Sequence, residues 1–246
     1  MCHSSAVETA SWISGPFLGF DLETTGKDRF TDRPVSFAFI DYRDGVSSPS
    51  LRGLVNPGRP IPEGAQRVHG ISDAQVQAEG WELNEAVTLI ADVLRDAFEK
   101  KTPIVGANLS YDLTMVNEAA RDAGLPLLFD GGAGGEFAAP ILDVIAIDRG
   151  LDRFTKRSRT LSSLAEFYKV PVLDAHDAAG DATMSILVLL AQIERFPELT
   201  EIGINELTLK QREWRMDFFN FLDKAKKKDG EEGLAPDEFI WPISKR

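Results

Sequence analysis

Phe17-Leu18-Gly19-Phe20-Asp21-Leu22-Glu23-Thr24-Thr25-Gly26 is the stretch on which the reading of this chain turns. Phe17 to Phe20 is a short apolar run that predicts a buried strand. At its end come two acids in an Asp-x-Glu pair. Residues two apart on a strand point to the same face, roughly 7 Å from one another along the chain. Two carboxylates so placed repel each other unless something cationic lies between them. A chain this acidic contains about one Asp-x-Glu by chance, and a solvated strand end before a turn is the plain alternative. The apolar run before the pair and Thr24-Thr25-Gly26 after it favour a functional reading.

Outward from this strand, Val35 to Asp41 reads as a second strand. An Asp44-Gly45 turn signal follows, and Leu51 to Val55 returns as a third, so 17–55 predicts an antiparallel meander. A Pro- and Gly-rich connector comes next, and Ser72-Asp73-Ala74-Gln75 has the form of a capping box opening a short helix after His69-Gly70. Val87, Ile90, Ala91, Leu94 and Phe98 recur at helical spacing over 83–100. Ile104 to Ala107 is a short strand, and a helical pattern resumes from Asp112 until Gly124 and Pro126 end it. Ile141 to Ile147 reads as a fifth strand, followed by helices at about 160–169 and 178–195. A meander followed by alternating helices and strands implies a mixed five-stranded sheet, with antiparallel and parallel parts, flanked by helices: an α/β fold. After Pro197, residues 205–228 form a separate amphipathic segment with Leu207, Gln211, Trp214, Phe218 and Phe221 on one stripe. The expected division is an N-terminal extension over 1–15, one α/β domain over 16–196 and a C-terminal helical extension over 197–246.

The 246 residues carry 27 Lys+Arg and 39 Asp+Glu, a formal charge of −12. A protein that holds nucleic acid by general electrostatic attraction usually shows a basic footprint, which this balance lacks. An enzyme that meets phosphate through bound divalent cations is not excluded. With 43% hydrophobic residues, wholesale disorder is excluded. The single cysteine, Cys2, rules out a disulfide framework and a Cys-based zinc site. The opening residues lack a basic n-region and a long apolar h-region, and the longest apolar run, Ile186 to Ala191, falls far short of the roughly 20 residues of a membrane span. The expectation is a cytoplasmic protein with no membrane association.

Two further polar clusters stand out. Asn108-Leu-Ser-Tyr111-Asp112 directly follows the strand at 104–107; taken alone, Asp112 is a helix-start acid and nothing more. His176-Asp-Ala-Ala-Gly-Asp181 lies at the start of a long apolar helix, where a buried unpaired acid costs several kcal/mol and so wants a metal or another cation. The ordered set F-D-L-E-T-T-G, N-x-x-x-D and H-x-A-x-x-D resembles the DnaQ-like (DEDDh) 3′–5′ exonuclease family of the ribonuclease-H-like superfamily. The similarity covers about residues 16–195 and includes Val68-His69-Gly70-Ile71. The sister class with tyrosine at the histidine position is disfavoured, because His176 occupies that place.

The resemblance implies a hydrolase that releases nucleoside 5′-monophosphates from single-stranded nucleic acid 3′ ends, with two Mg²⁺ or Mn²⁺ ions as cofactors. Asp21, Glu23, Asp112 and Asp181 would hold the ions, Asp21 bridging both, and oxygen ligands suit such hard cations. His176 would be the general base that takes the proton from the attacking water. Thr24, Thr25, Val68, His69, Asn108 and Tyr111 are the expected substrate contacts, Tyr111 either by stacking or as a core residue. DNA proofreading or repair is the expected role; an exoribonuclease and a non-catalytic binding module are the rivals. Two stretches invite over-reading. Gly131 to Gly135 lacks the Gly-Lys-Ser/Thr ending of a P-loop and reads as a surface loop. Arg149 to Arg159 sets five cations against Asp152 and offers either backbone phosphate contacts or a solvated loop. The C-terminal stripe is expected to pack on the core, with docking to a polymerase or another subunit as the sharper alternative.

Overall fold

The computed structural model describes residues 12–129, 140–173 and 176–244. The first eleven residues, with Cys2, and the glycine cluster Gly131 to Gly135 lie outside the described residues.

Six strands form one mixed sheet: β1 (Phe17–Thr24), β2 (Pro34–Arg43), β3 (Val46–Asn56), β4 (Trp81–Glu82), β5 (Ile104–Gly106) and β6 (Ile141–Asp143), in the spatial order β4-β3-β2-β1-β5-β6. β1, β2 and β3 make the antiparallel meander, while β5 runs parallel to β1 and β6 parallel to β5. The sheet therefore has one strand more than the five read from the sequence. β4 has only two residues, both exposed, and pairs parallel with Val55 and Asn56 of β3. It is too short to leave an alternation in the sequence.

Eight α-helices lie among the described residues: α1 (Glu63–His69), α2 (Asp73–Glu79), α3 (Leu83–Glu99), α4 (Leu109–Asp122), α5 (Val144–Leu151), α6 (Leu161–Tyr168), α7 (Ala178–Arg195) and α8 (Ile204–Lys228). The capping box at α2 is present, the Ser72 side chain accepting from the Gln75 amide and the Gln75 side chain accepting from Ser72. α1 begins at the end of the connector, Asn56 to Gly64, and runs on beyond it as a helix that was not expected. The strand expected over 141–147 stops at Asp143, because Asp143 Oδ1 accepts from the N–H groups of Ile145 and Ala146 and starts α5 there.

The period-two alternation of β1 splits the interior into two layers. Leu18, Phe20 and Leu22 join Phe37, Phe39, Ile104 and Ile141 under α3 and α4. Phe17 lies on the other side with Ile40, Val105 and Leu142, under α5, α6, α7 and the start of α8. The C-terminal segment packs against both layers. Leu207 is buried in the second of these and Trp241 and Ile243 in the first, whereas Phe221 at the end of the α8 stripe is 70% exposed. Gln211 is fully buried: its Oε1 accepts from the Asp143 N–H at 2.7 Å, and its Nε2 donates to the Ile141 carbonyl at 2.7 Å. The Trp214 indole packs against Gly150, where a Cβ would sit 2.0 Å from it, so a larger residue there would have to displace the ring. No helix among the described residues is long and apolar enough to cross a membrane.

Candidate active site

The alternation that buries Leu18, Phe20 and Leu22 under α3 and α4 turns Gly19, Asp21 and Glu23 toward α7. At Gly19 the helix comes within contact of the strand backbone: a Cβ would lie 2.9 Å from Ile186 Cδ1 and 3.0 Å from the Ala182 carbonyl. This close approach seats the first turn of α7, which carries Asp181, against the carboxylates of β1. The turn is set by Asp177, whose side chain accepts from the Gly180 N–H at 3.2 Å. His176 precedes it in a left-handed conformation, φ 67°, with its side chain exposed. Glu23, His176 and Asp181 each offer a ligand atom, and these atoms all lie within 4.8 Å of one another.

Asp112 arrives from the neighbouring strand. β5 ends at Gly106, and the chain turns at Asn108 through a left-handed conformation, φ 60°, that asparagine tolerates better than most residues. The Asn108 N–H donates to Asp143 Oδ1 at 3.1 Å, tying this turn to the end of β6. α4 then begins, and Asp112 in its first turn is buried and acts electrostatically on Asp21.

All four carboxyls are pushed up from their ordinary values, and burial is the first cause each time. Asp21 lies well above the usual range, with Asp112, Asp181, Glu23 and Asp177 adding repulsion. Glu23 is pushed up to about 7, by burial and then by Asp181 and Asp177. Asp112 is raised by burial and by Asp143 and Glu23, against backbone hydrogen bonds from its own N–H and that of Leu22. Asp181 is raised by burial and Asp177, with opposition from His176. Such a cluster is short of positive charge. Asp181 Oδ1 is also buried with no hydrogen-bond partner among the described residues. Oxygen donors in mutual repulsion, one of them orphaned, fit a hard divalent cation.

The expected substrate contacts fall in three places: Thr24, Thr25 and Tyr111 at the turn after Glu23, Val68 and His69 at the end of α1, and Asn108 at the start of α4. Thr24 Oγ1 lies 3.1 Å from the Tyr111 hydroxyl, and Tyr111 also donates to the Gly26 carbonyl, so both residues shape the turn that follows Glu23. Thr25 is buried, its hydroxyl donating to Asp32 Oδ1 at 2.7 Å and accepting from the Arg33 N–H at 3.1 Å. His69 Nδ1 accepts from the Ile71 N–H at 3.0 Å, and burial lowers its pKa while Thr24 and His176 act on it from close by. Val68, beside it, is 54% exposed. Asn108 serves as the hinge already described.

Some members of the site were not singled out from the sequence. Asp177 adds to the field on Asp21, Glu23 and Asp181, and Asp143 to that on Asp112. Asp177 sits inside the H-D-A-A-G-D stretch, where its cap spacing to Gly180 was a readable signal. The cations of 149–159 divide: Arg149, Arg157 and Arg159 are partly buried, while Arg153 and Lys156 are exposed. Arg157 and Arg159 both pair with buried Asp148, Arg153 pairs with Asp217 at 2.9 Å, and the Arg149 guanidinium stacks 3.6 Å from the Phe218 ring centroid.

Comparison with known proteins shows the family and the fold. The family model for exonuclease, RNase_T, matches residues 18–189, well over half of the chain. The chain is 26% identical over 203 residues to a DNA polymerase III PolC-type from Caldanaerobacter subterraneus subsp. tengcongensis, covering 82% of this chain and 13% of that protein. It is 23% identical over 202 residues to a 3′-5′ exonuclease DinG from Staphylococcus haemolyticus, covering 82% of this chain and 21% of that protein. The chain thus spans about a fifth or less of these relatives. Among solved structures, E. coli exonuclease I in complex with a dA16 oligonucleotide shares the fold, with a TM-score of 0.60, 20% identity, and coverage of 75% of this chain and 42% of that one.

Proposed function

The chain belongs to the exonuclease family RNase_T, and from that premise we propose that it removes nucleotides one at a time from the 3′ end of single-stranded DNA, in proofreading or repair. The observation that carries this reading is the meeting of Glu23, His176 and Asp181, whose ligand atoms lie within 4.8 Å of one another, with Asp21 close enough to feel Glu23, Asp181 and Asp112 electrostatically. PolC-type polymerase III among the relatives supports a polymerase as the partner, and the oligonucleotide held by exonuclease I supports a single strand as the substrate.

Two divalent ions, Mg²⁺ or Mn²⁺, held by Asp21, Glu23, Asp112 and Asp181, would neutralise charge on the phosphate and make water nucleophilic at neutral pH. The chain's own residues do the rest. His176 stands exposed within 4.8 Å of the Glu23 and Asp181 ligand atoms, where it takes the proton as the water oxygen attacks phosphorus. The bond from phosphorus to the 3′ oxygen breaks and that oxygen takes a proton from solvent water, leaving a nucleoside 5′-monophosphate and a new 3′ hydroxyl. The Thr24–Tyr111–Gly26 contacts fix the turn after Glu23, holding the wall of the site against which the terminal nucleotide is positioned.

The test uses 5′-labelled DNA and RNA oligonucleotides, single- and double-stranded, with Mg²⁺ or with EDTA. A metal-dependent ladder that shortens from the 3′ end of single-stranded DNA is expected. Digestion of RNA alone would move the assignment to an exoribonuclease, and the absence of any metal-dependent product would leave a binding module.

A further inference from the structure

Beside Tyr111 a cavity of about 320 Å³ opens between the exonuclease domain and the C-terminal segment. Lys27, Asn108 and Tyr111 line one side, and Arg215 and Phe219 of α8 line the other. Its volume falls in the range of about 300–1,000 Å³ usual for ligand clefts.

Lys27, Arg29 and Arg215 meet Asp28, Asp237 and Glu238 in its lining, three charges of each sign, but their pairing is unequal. Arg29 is held by Asp237 at 2.6 Å and by Glu238 at 3.1 Å. Asp28 is engaged in its own turn, accepting from the Phe30 N–H at 2.9 Å and the Thr31 hydroxyl at 2.7 Å. Among the described residues Arg215 has Glu238 alone as an ion-pair partner, at 3.9 Å, the other oxygen of that carboxylate serving Arg29. Asp143 acts on Arg215 through space, but its Oδ1 already accepts from the N–H groups of Asn108, Ile145 and Ala146. The Arg215 side chain is only 11% exposed, and its Nε is buried with no hydrogen-bond partner among the described residues. Phe219 backs the guanidinium with its ring centroid at 4.4 Å. Burial pushes this arginine below its ordinary pKa. A guanidinium buried against an aromatic ring and short of acceptors is a site for an anion.

We propose that this cavity receives a backbone phosphate of the substrate strand, upstream of the bond being cut, with Arg215 and Lys27 as its ligands. The inference rests on the nucleic-acid reading above and adds to it a substrate-binding residue from α8, outside the stretch 18–189 matched by the family. The C-terminal segment then forms part of the strand's path.

The experiment is a fluorescence-anisotropy titration of 5′-fluorescein dT8 against the full chain, with Ca²⁺ to hold back hydrolysis, at several salt concentrations. For Arg215→Ala the Kd is expected to rise about tenfold. The slope of log K against log salt should become shallower by about one, as one fewer phosphate is neutralised on binding. Arg215→Lys should recover part of the affinity. Equal affinity and equal slope in wild type and Arg215→Ala would overturn the proposal. Should Arg215→Ala not fold, photo-crosslinking of wild type to dT8 with 4-thiothymidine at internal positions decides the matter. Adducts on the peptide around 211–219 support the proposal, and adducts confined to other peptides overturn it. Wild type that neither binds nor cuts dT8 would instead refute the nucleic-acid reading itself.

Discussion

Glu23→Gln should make the metal-free protein more stable while abolishing its activity. The Glu23 carboxyl is pushed from its ordinary value of 4.5 up to about 7 by burial and by Asp181 and Asp177. Because the folded chain holds this proton more tightly than the unfolded one, the group's contribution is fully present below about pH 4.5 and is lost as pH rises through about 7. A shift of that size corresponds to roughly 3 kcal/mol, and solvent screening at the mouth of the site brings it nearer to 2 kcal/mol. Gln keeps the shape and has no charge to bury, so the stability difference should grow from near zero at pH 4.5 to about 2 kcal/mol at pH 8. Urea unfolding of both proteins in EDTA, at intervals over that range, measures the difference and cancels the titration of every other group. Excess Mn²⁺ should shrink the gap, since a bound cation relieves the same repulsion in wild type. If Glu23→Gln were equally or less stable at pH 8 in EDTA, or its advantage did not change with pH, the carboxylates would not be straining one another.

Asp21→Asn should lose hydrolysis by at least about a thousandfold and keep a melting temperature no lower than wild type in EDTA, as labelled-oligonucleotide and thermal-scan assays would register. Mn²⁺ should raise the wild-type melting temperature in proportion to the logarithm of its concentration above Kd, and Asp181→Asn should weaken that response. Gln211→Leu should destabilise by about 2–4 kcal/mol in urea unfolding, because the Asp143 N–H and the Ile141 carbonyl would be left buried without partners. Gly19→Ala should depress activity more than a surface change of that size, since its methyl group would meet Ile186 and the Ala182 carbonyl and push the first turn of α7 away from β1; single-turnover rates would show it.

Much of this was legible from local pattern. The acids of β1 were readable because a strand alternates and Phe17 to Phe20 announced one. The structure carries the strand on through Thr24, which puts Asp21 and Glu23 within its pleat and leaves no doubt about their common face. Ser72 and Gln75 gave α2 through a capping box complete within four residues. What escaped depends on partners remote in sequence. β4 exists only as an addition to the edge of β3, and its two residues have no signal of their own. α5 begins in a stretch that is apolar on both sides of Asp143, and the cap made by that one side chain turns strand into helix. The inward turn of Arg157 and Arg159 required knowing that Asp148 is buried beneath them, a fact the cation-rich sequence of that loop does not contain.

The site shows why the carboxylates must be imposed by the rest of the fold. Asp21, Glu23, Asp112 and Asp181 would separate if free to do so, each being raised by burial and by charged neighbours. They are held by apolar contacts on both faces of the sheet: Leu18, Phe20 and Leu22 anchor β1 on one side, and Ile186 and Ala182 press α7 onto Gly19 on the other. Each buried Leu, Ile or Phe contributes about 1.5–3 kcal/mol, so a few such contacts are enough to oppose the repulsion. The same layers bring Asp112 in through the left-handed turn at Asn108. A cluster kept together by distant packing is pre-organised for cations before they arrive, so binding them need not include the work of assembling the site. It follows that substitutions at Gly19 or Asn108, which carry no charge, should weaken metal binding even though every carboxylate is intact.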